Sequence, residues 1–145
     1  MKKDFEILQL ELASLVRYIS SLTPNQTELM LDRSGFLILQ NIEEKGPAGI
    51  KELADYFKLD ISTMSRQVRS LEKKDCLKRN PKPEDKRAFT LSLTAKGEDM
   101  LNTYRDIKVN RIKELFGHWE DQDLKDFSSL LQKANDAIRK SKLQK

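Results

Sequence analysis

Seven polar side chains fall on one side of the stretch from Ile61 to Lys74: Ser62, Thr63, Ser65, Arg66, Gln67, Arg69 and Ser70. If the stretch is a helix, its other side is Ile61, Met64, Val68 and Leu71, a stripe at the spacing that packs onto a scaffold. The polar side can form hydrogen bonds with a patterned polar surface. Small hydroxyls let a helix backbone approach closely, an arginine such as Arg66 can pair bidentately with guanine, and Gln67 can do the same with adenine. Ordinary solvated helices more often carry Glu and Lys at such positions. Taken alone, the face fits an incidental polar surface as well as it fits nucleic acid.

Other chemistries find little support. His118 and Cys76 have no second His or Cys at metal-ligand spacing, and there is no glycine-rich phosphate loop, so neither an enzyme, a cofactor nor a metal centre is expected. His118 reads as a helix-end or surface residue. Cys76, beside Leu77 at a helix-to-strand junction, reads as a small buried hydrophobe rather than a redox sensor. Tyr104, Phe116 and Trp119 read as core or dimer packing rather than as the lining of an effector pocket.

The elements that must position the polar face follow from periodicity. Phe5, Leu8, Leu12, Leu15, Ile19 and Leu22 draw one stripe along a first helix, extended by Leu10, Ala13 and Val16 and stopped by Thr23-Pro24-Asn25. A second helix runs from about Arg33 to Glu44 with Phe36, Leu37, Leu39 and Ile42, ended by Lys45-Gly46-Pro47. A third covers Ile50 to Phe57, with Ile50, Leu53, Ala54 and Phe57 on one face. Only Lys58-Leu59-Asp60 separates it from the polar helix, the turn length of a helix-turn-helix, although the usual glycine is missing. Asp60 is placed to cap the helix that follows.

After Asp75 the period changes to about two. Cys76 to Asn80 reads as a short strand, and Ala88 to Leu93 as a clearer one with Phe89, Leu91 and Leu93 on one face. Between them, Pro81-Lys82-Pro83-Glu84-Asp85-Lys86-Arg87 should project into water as a hairpin loop. Thr94 caps a long helix through Met100, Tyr104, Ile107, Ile112, Leu115, Phe116 and Trp119. A last helix repeats Leu124, Phe127, Leu131, Ala134 and Ile138 near a heptad period.

Charge sharpens the choice. Residues 1–59 hold 7 Lys/Arg against 9 Asp/Glu, residues 60–96 hold 10 against 5, and residues 97–145 hold 10 against 9. The basic excess therefore coincides with the polar helix and the hairpin, and a two-helix motif followed at once by a basic hairpin points to duplex DNA. A winged-helix module that uses the same surface for a protein partner is the alternative. The single cysteine, the amphipathic N-terminal segment and the lack of a long apolar run lead us to expect a cytoplasmic protein outside the membrane.

The sequence resembles the MarR family of multiple antibiotic resistance regulators over nearly its whole length. The resemblance is carried by Ile50-Lys51-Glu52-Leu53-Ala54, by the run from Asp60 to Lys74, by Pro83-Glu84-Asp85-Lys86-Arg87, and by Leu91-Ser92-Leu93-Thr94-Ala95-Lys96-Gly97. It implies a mostly helical winged helix-turn-helix chain, 1–145, with a DNA-binding region at 31–96 and dimerisation helices at 1–30 and 97–145. It further implies a homodimeric regulator, a repressor on a pseudo-palindromic operator, released by a small-molecule effector. In the wing it assigns Arg87 to a minor groove and Asp85 to holding the loop, with Lys86 between them; the competing reading of Asp85 and Arg87 is a plain ion pair at a loop tip. Family members often carry Asp-Pro in the wing where this chain has Lys82-Pro83.

Overall fold

A computed structural model describes residues 1–21 and 31–142, without the side chains of Ser21 and Lys86. Leu22 and the Thr23-Pro24-Asn25 stop lie outside the described residues. The chain divides into two compact units, Met1–Met30 and Leu31–Lys145.

The first unit holds helix α1 (Lys2–Ser21). Among the described residues of its apolar stripe only Leu15 is half-buried; Phe5, Leu8, Leu12 and Ile19 are exposed, as are Leu10 and Val16.

The second unit runs α2 (Arg33–Lys45), α3 (Ile50–Phe57), α4 (Ile61–Lys73), β1 (Leu77–Lys82), β2 (Asp85–Leu93), α5 (Ala95–Phe116) and α6 (Asp121–Lys140). It is a mostly helical fold with one antiparallel hairpin. Helix starts are set by side chains that accept otherwise unsatisfied backbone amides. Asp32 accepts from Gly35 N at 2.7 Å, Asp60 from Thr63 N at 2.8 Å and Thr94 from Gly97 N at 2.9 Å. The helix-turn-helix manages without a glycine because Lys58 adopts the left-handed conformation, φ 56°, and closes α3. At Gly97 a glycine is required for space: a Cβ there would stand 2.2 Å from the carbonyl oxygen of Cys76. The absent side chain lets α5 start directly against the end of the α4–β1 connection.

The core is built where α2 packs on α4, α5 and β2. Ile38, Leu39 and Ile42 of α2 meet Met64, Val68 and Leu71 of α4, Leu91 of β2, and Leu101 and Tyr104 of α5, all buried. Tyr104 stacks on Phe36 with ring centroids 4.4 Å apart. The hairpin ladder pairs Leu77 with Leu93, Arg79 with Leu91 and Pro81 with Phe89. Ala48 adds a bridge to Leu91 on the far side.

Several expectations need correction. Leu37 is exposed and its neighbour Ile38 takes the core position; a run of four apolar residues leaves the phase of a helix ambiguous, and packing resolves it. Ile61 is 54% exposed, because it sits on the first residue of α4, beyond the end of the surface that covers Met64. The seven-residue loop is a two-residue turn, Pro83-Glu84. β1 continues through Pro81 and Lys82, and β2 begins at Asp85, with a register shift between Pro81 and Lys82. Proline is tolerated there because β1, where it sits, is an edge strand. On α5, Leu101 and Tyr104 are buried, whereas Ile112 and Leu115 are exposed and the helix ends before Trp119. No residue of α6 is buried.

Candidate nucleic-acid interface

The outward face of α4 starts from its cap. Besides the Thr63 amide, Asp60 Oδ1 accepts from Ser62 Oγ at 3.3 Å, and Arg66 Nη2 donates to Thr63 Oγ1 at 3.3 Å. Hydrogen bonds from Thr63, with additional help from Ser62 and the nearby Arg66 charge, hold the Asp60 carboxyl below its ordinary range. The first turn is thus cross-linked to the second, which fixes where Arg66 leaves the helix.

Of the residues singled out on this helix, Ser62, Arg66 and Arg69 are exposed, as is Ser70, while Thr63, Ser65 and Gln67 are half-buried. Arg66, Arg69, Ser70 and Lys73 surround a shallow recess of about 270 Å³. None of its three cations forms an ion pair among the described residues. A smaller recess of about 170 Å³, lined in part by Arg66, Gln67 and Lys74, opens between α4 and the start of α2. Arginine and lysine side chains without an ion-pair partner, around a concavity with hydroxyl and amide donors, suit phosphate oxygens and base edges.

At the wing, Asp85 Oδ1 accepts from the Arg87 amide at 3.0 Å. The same oxygen lies 4.0 Å from Arg87 Nε, and the Arg87 side chain is 97% exposed. An ion pair that long and that solvated contributes little. Asp85 acts on the backbone of the bend, and the Arg87 guanidinium is left pointing into solvent. The Lys86 side chain lies outside the described residues.

Sequence reading missed the link between the two sets. Arg79 donates to both carboxylate oxygens of Glu72, at 2.8 and 3.0 Å, and its guanidinium lies over the Phe89 ring, 4.2 Å from its centroid. The last turn of α4 is therefore tied to both strands of the wing. The only hint was an acid and an arginine seven residues apart across a helix-to-strand junction, a spacing with no periodic meaning.

Cys76 is buried, with Sγ 3.3 Å from Met100 Sδ, and burial pushes its thiol pKa up, away from the reactive thiolate. Phe116 meets Trp119 and Phe127 edge to face, and Trp119 lies tilted against Phe127. A separate cleft of about 350 Å³ lies between α2, α3 and α6, lined in part by Leu37, Asn41, Tyr56, Phe57, Ile138 and Arg139. Lys45 Nζ lies 3.7 Å and Arg139 Cζ 5.1 Å from the Tyr56 ring centroid. No helix among the described residues is long and apolar enough to cross a membrane, and no metal-holding cluster occurs among them.

Comparison with known proteins agrees with this architecture. The MarR family model matches residues 31–89. An uncharacterized HTH-type transcriptional regulator of Bacillus subtilis, YxaD, is 35% identical over 134 residues, covering 92% of this chain and 94% of that protein. A MarR protein from Peptoclostridium difficile superposes with a TM-score of 0.74 at 22% identity, over 91% of this chain and 87% of that one. A mutant MarR from E. coli, solved in complex with operator DNA, superposes with a TM-score of 0.68 at 21% identity, over 86% and 93%.

Proposed function

Since the chain belongs to the MarR family of DNA-binding transcriptional regulators, we propose that it acts as a homodimeric repressor which binds a pseudo-palindromic operator and is released by a small effector. The observation that carries this reading is the cationic face of α4, whose Arg66, Arg69 and Lys73 form no ion pair among the described residues, braced by Glu72 and Arg79 to a wing whose Arg87 points into solvent. In it, residues 31–96 are the DNA-binding region and 1–30 and 97–145 supply the dimer helices. Ser62, Thr63, Ser65, Arg66 and Gln67 read base edges in the major groove, and Arg69 meets phosphate. Arg87, flanked by Lys86 and held by Asp85, enters the adjacent minor groove. Exposed stripes on α1 and α6 support self-association. The cleft between α2, α3 and α6 couples the DNA-binding region to a dimer helix, so an effector seated there would alter the spacing of the two α4 helices.

Titration of wild type, Arg66→Ala and Arg87→Ala against an operator and random DNA at one salt concentration tests the assignment. Arg66→Ala should cost about 1 to 3 kcal/mol and relax one base preference per half-site. Arg87→Ala should cost most where the flanking groove is narrow and A·T-rich. Wild-type affinity and base preference in both folded variants would move the assignment away from DNA and toward a protein partner.

A further inference from the structure

Ile61 is the exposed apolar residue at the N-terminal tip of α4, the helix assigned to DNA. It occupies the first turn of α4 and is 54% exposed, although its phase matches that of the buried Val68. Packing does not need it there. The positions before the cap and in the second turn that normally close a helix start hydrophobically are filled by Leu59, half-buried, and Met64, fully buried. A helical side chain also leans toward the N-terminus, which carries Ile61 off the end of the scaffold.

Its polar neighbours are partly committed within the protein. The Ser62 hydroxyl donates to Asp60 and the Thr63 hydroxyl accepts from Arg66. Arg66, Arg69 and Lys73 make the outward side of the same helix cationic, and Ile61 stands exposed at that helix's N-terminal end. An exposed apolar group at the leading end of a cationic helix suits a polyanion that also displays apolar groups. In the major groove of duplex DNA the apolar group presented by the base pairs is the thymine methyl, and the first residues of a recognition helix are those that reach base edges.

We infer that Ile61 is a specificity-determining residue that packs against the 5-methyl group of a thymine in each half-site. The inference rests on the DNA reading above, and the test separates the two. Duplexes with a randomised centre are selected on the full-length protein, and each thymine of the recovered sequence is then replaced singly by uracil, which lacks the methyl. At one thymine per half-site, uracil should weaken wild-type binding about fourfold, the value of one buried methyl-sized group. Ile61→Ala should bind the thymine duplex several-fold more weakly and be indifferent to that uracil, while Ile61→Val should keep most of the discrimination. Thermal melting and sedimentation should be unchanged in both variants.

If a sequence is recovered but uracil affects wild type and Ile61→Ala equally at every position, the inference is wrong and the DNA reading stands. A lower melting temperature or a changed mass for Ile61→Ala would assign the residue to packing or to a protein contact instead. If no sequence is enriched, the DNA reading fails and takes the inference with it.

Discussion

Helix α4 buries Met64, Val68 and Leu71 completely, whereas α6, with Leu124, Phe127, Leu131, Ala134 and Ile138 at similar spacing, buries none. The two helices are comparably amphipathic in sequence. They differ in what the chain provides opposite them: α4 has α2, α3 and the root of the wing, while α6 keeps Leu131 and Ile138 exposed. A periodic stripe thus specifies that a face will be covered without specifying by what. In α4 the cover is intramolecular, and it leaves the opposite face free to bind. On α6 the uncovered stripe is itself the surface on offer.

The contrast is tested most strongly in the core. Met64→Ala should destabilise the protein by about 2 to 5 kcal/mol, read by urea denaturation at fixed protein concentration. A cost below about 1 kcal/mol would mean that α4 is not held as the burial of Met64 implies. Leu131→Ala on α6 should behave differently. If a second chain covers the stripe, its cost of about 1.5 to 3 kcal/mol per protomer appears in association. The melting temperature should then depend on protein concentration in wild type and less so in the variant. Sedimentation of a wild-type monomer at micromolar concentration would remove the proposed dimer.

How far the sequence discloses this arrangement depends on whether the signal is local. The caps at Asp60 and Thr94 and the stripe Met64-Val68-Leu71 were legible because each is fixed within one or two turns of helix. Ile61 was misplaced because periodicity continues past the point where the scaffold stops. Leu37 and Ile38 were exchanged because the packing of α2 against β2 and α5, not its own period, sets its phase. The wing strands were cut short because prolines and charges read as a loop, yet an edge ribbon accommodates them by exposing Pro81 and Lys82 to solvent. Of the candidate site, the α4 residues do stand together. The Glu72–Arg79–Phe89 connection that ties the helix to the wing, and the place of Lys73 beside Arg66 and Arg69, depend on long-range geometry that no motif records.

The helix starts extend the comparison at smaller scale. Asp60 makes a side-chain cap on α4, whereas Glu120, at the equivalent position of α6, makes none. Asp60→Ala should lower the melting temperature by roughly 2 to 8 °C, and Glu120→Ala should change it by no more than about 2 °C. Equal losses would mean that the α4 cap has no special weight.

The smallest effect should be the pH dependence of the same cap. Because Thr63, Ser62 and Arg66 favour the ionised carboxylate, Asp60 has a lower pKa folded than unfolded, where it titrates near 3.8. The unfolded chain therefore binds a proton at this site more readily than the folded one, and stability from the cap rises with pH across that interval. It is fully present above the unfolded value and is lost as pH falls through the folded one. Asn caps a helix about as well as Asp but does not titrate, so Asp60→Asn isolates the effect from general acid denaturation. The difference in stability between wild type and Asp60→Asn should be constant from about pH 5 to 7 and should shift against wild type below pH 3.8. A flat Asp60→Asn difference down to pH 3 would show that the charge of Asp60 adds nothing to its geometry, and α4 and α6 would then differ only in how they are packed.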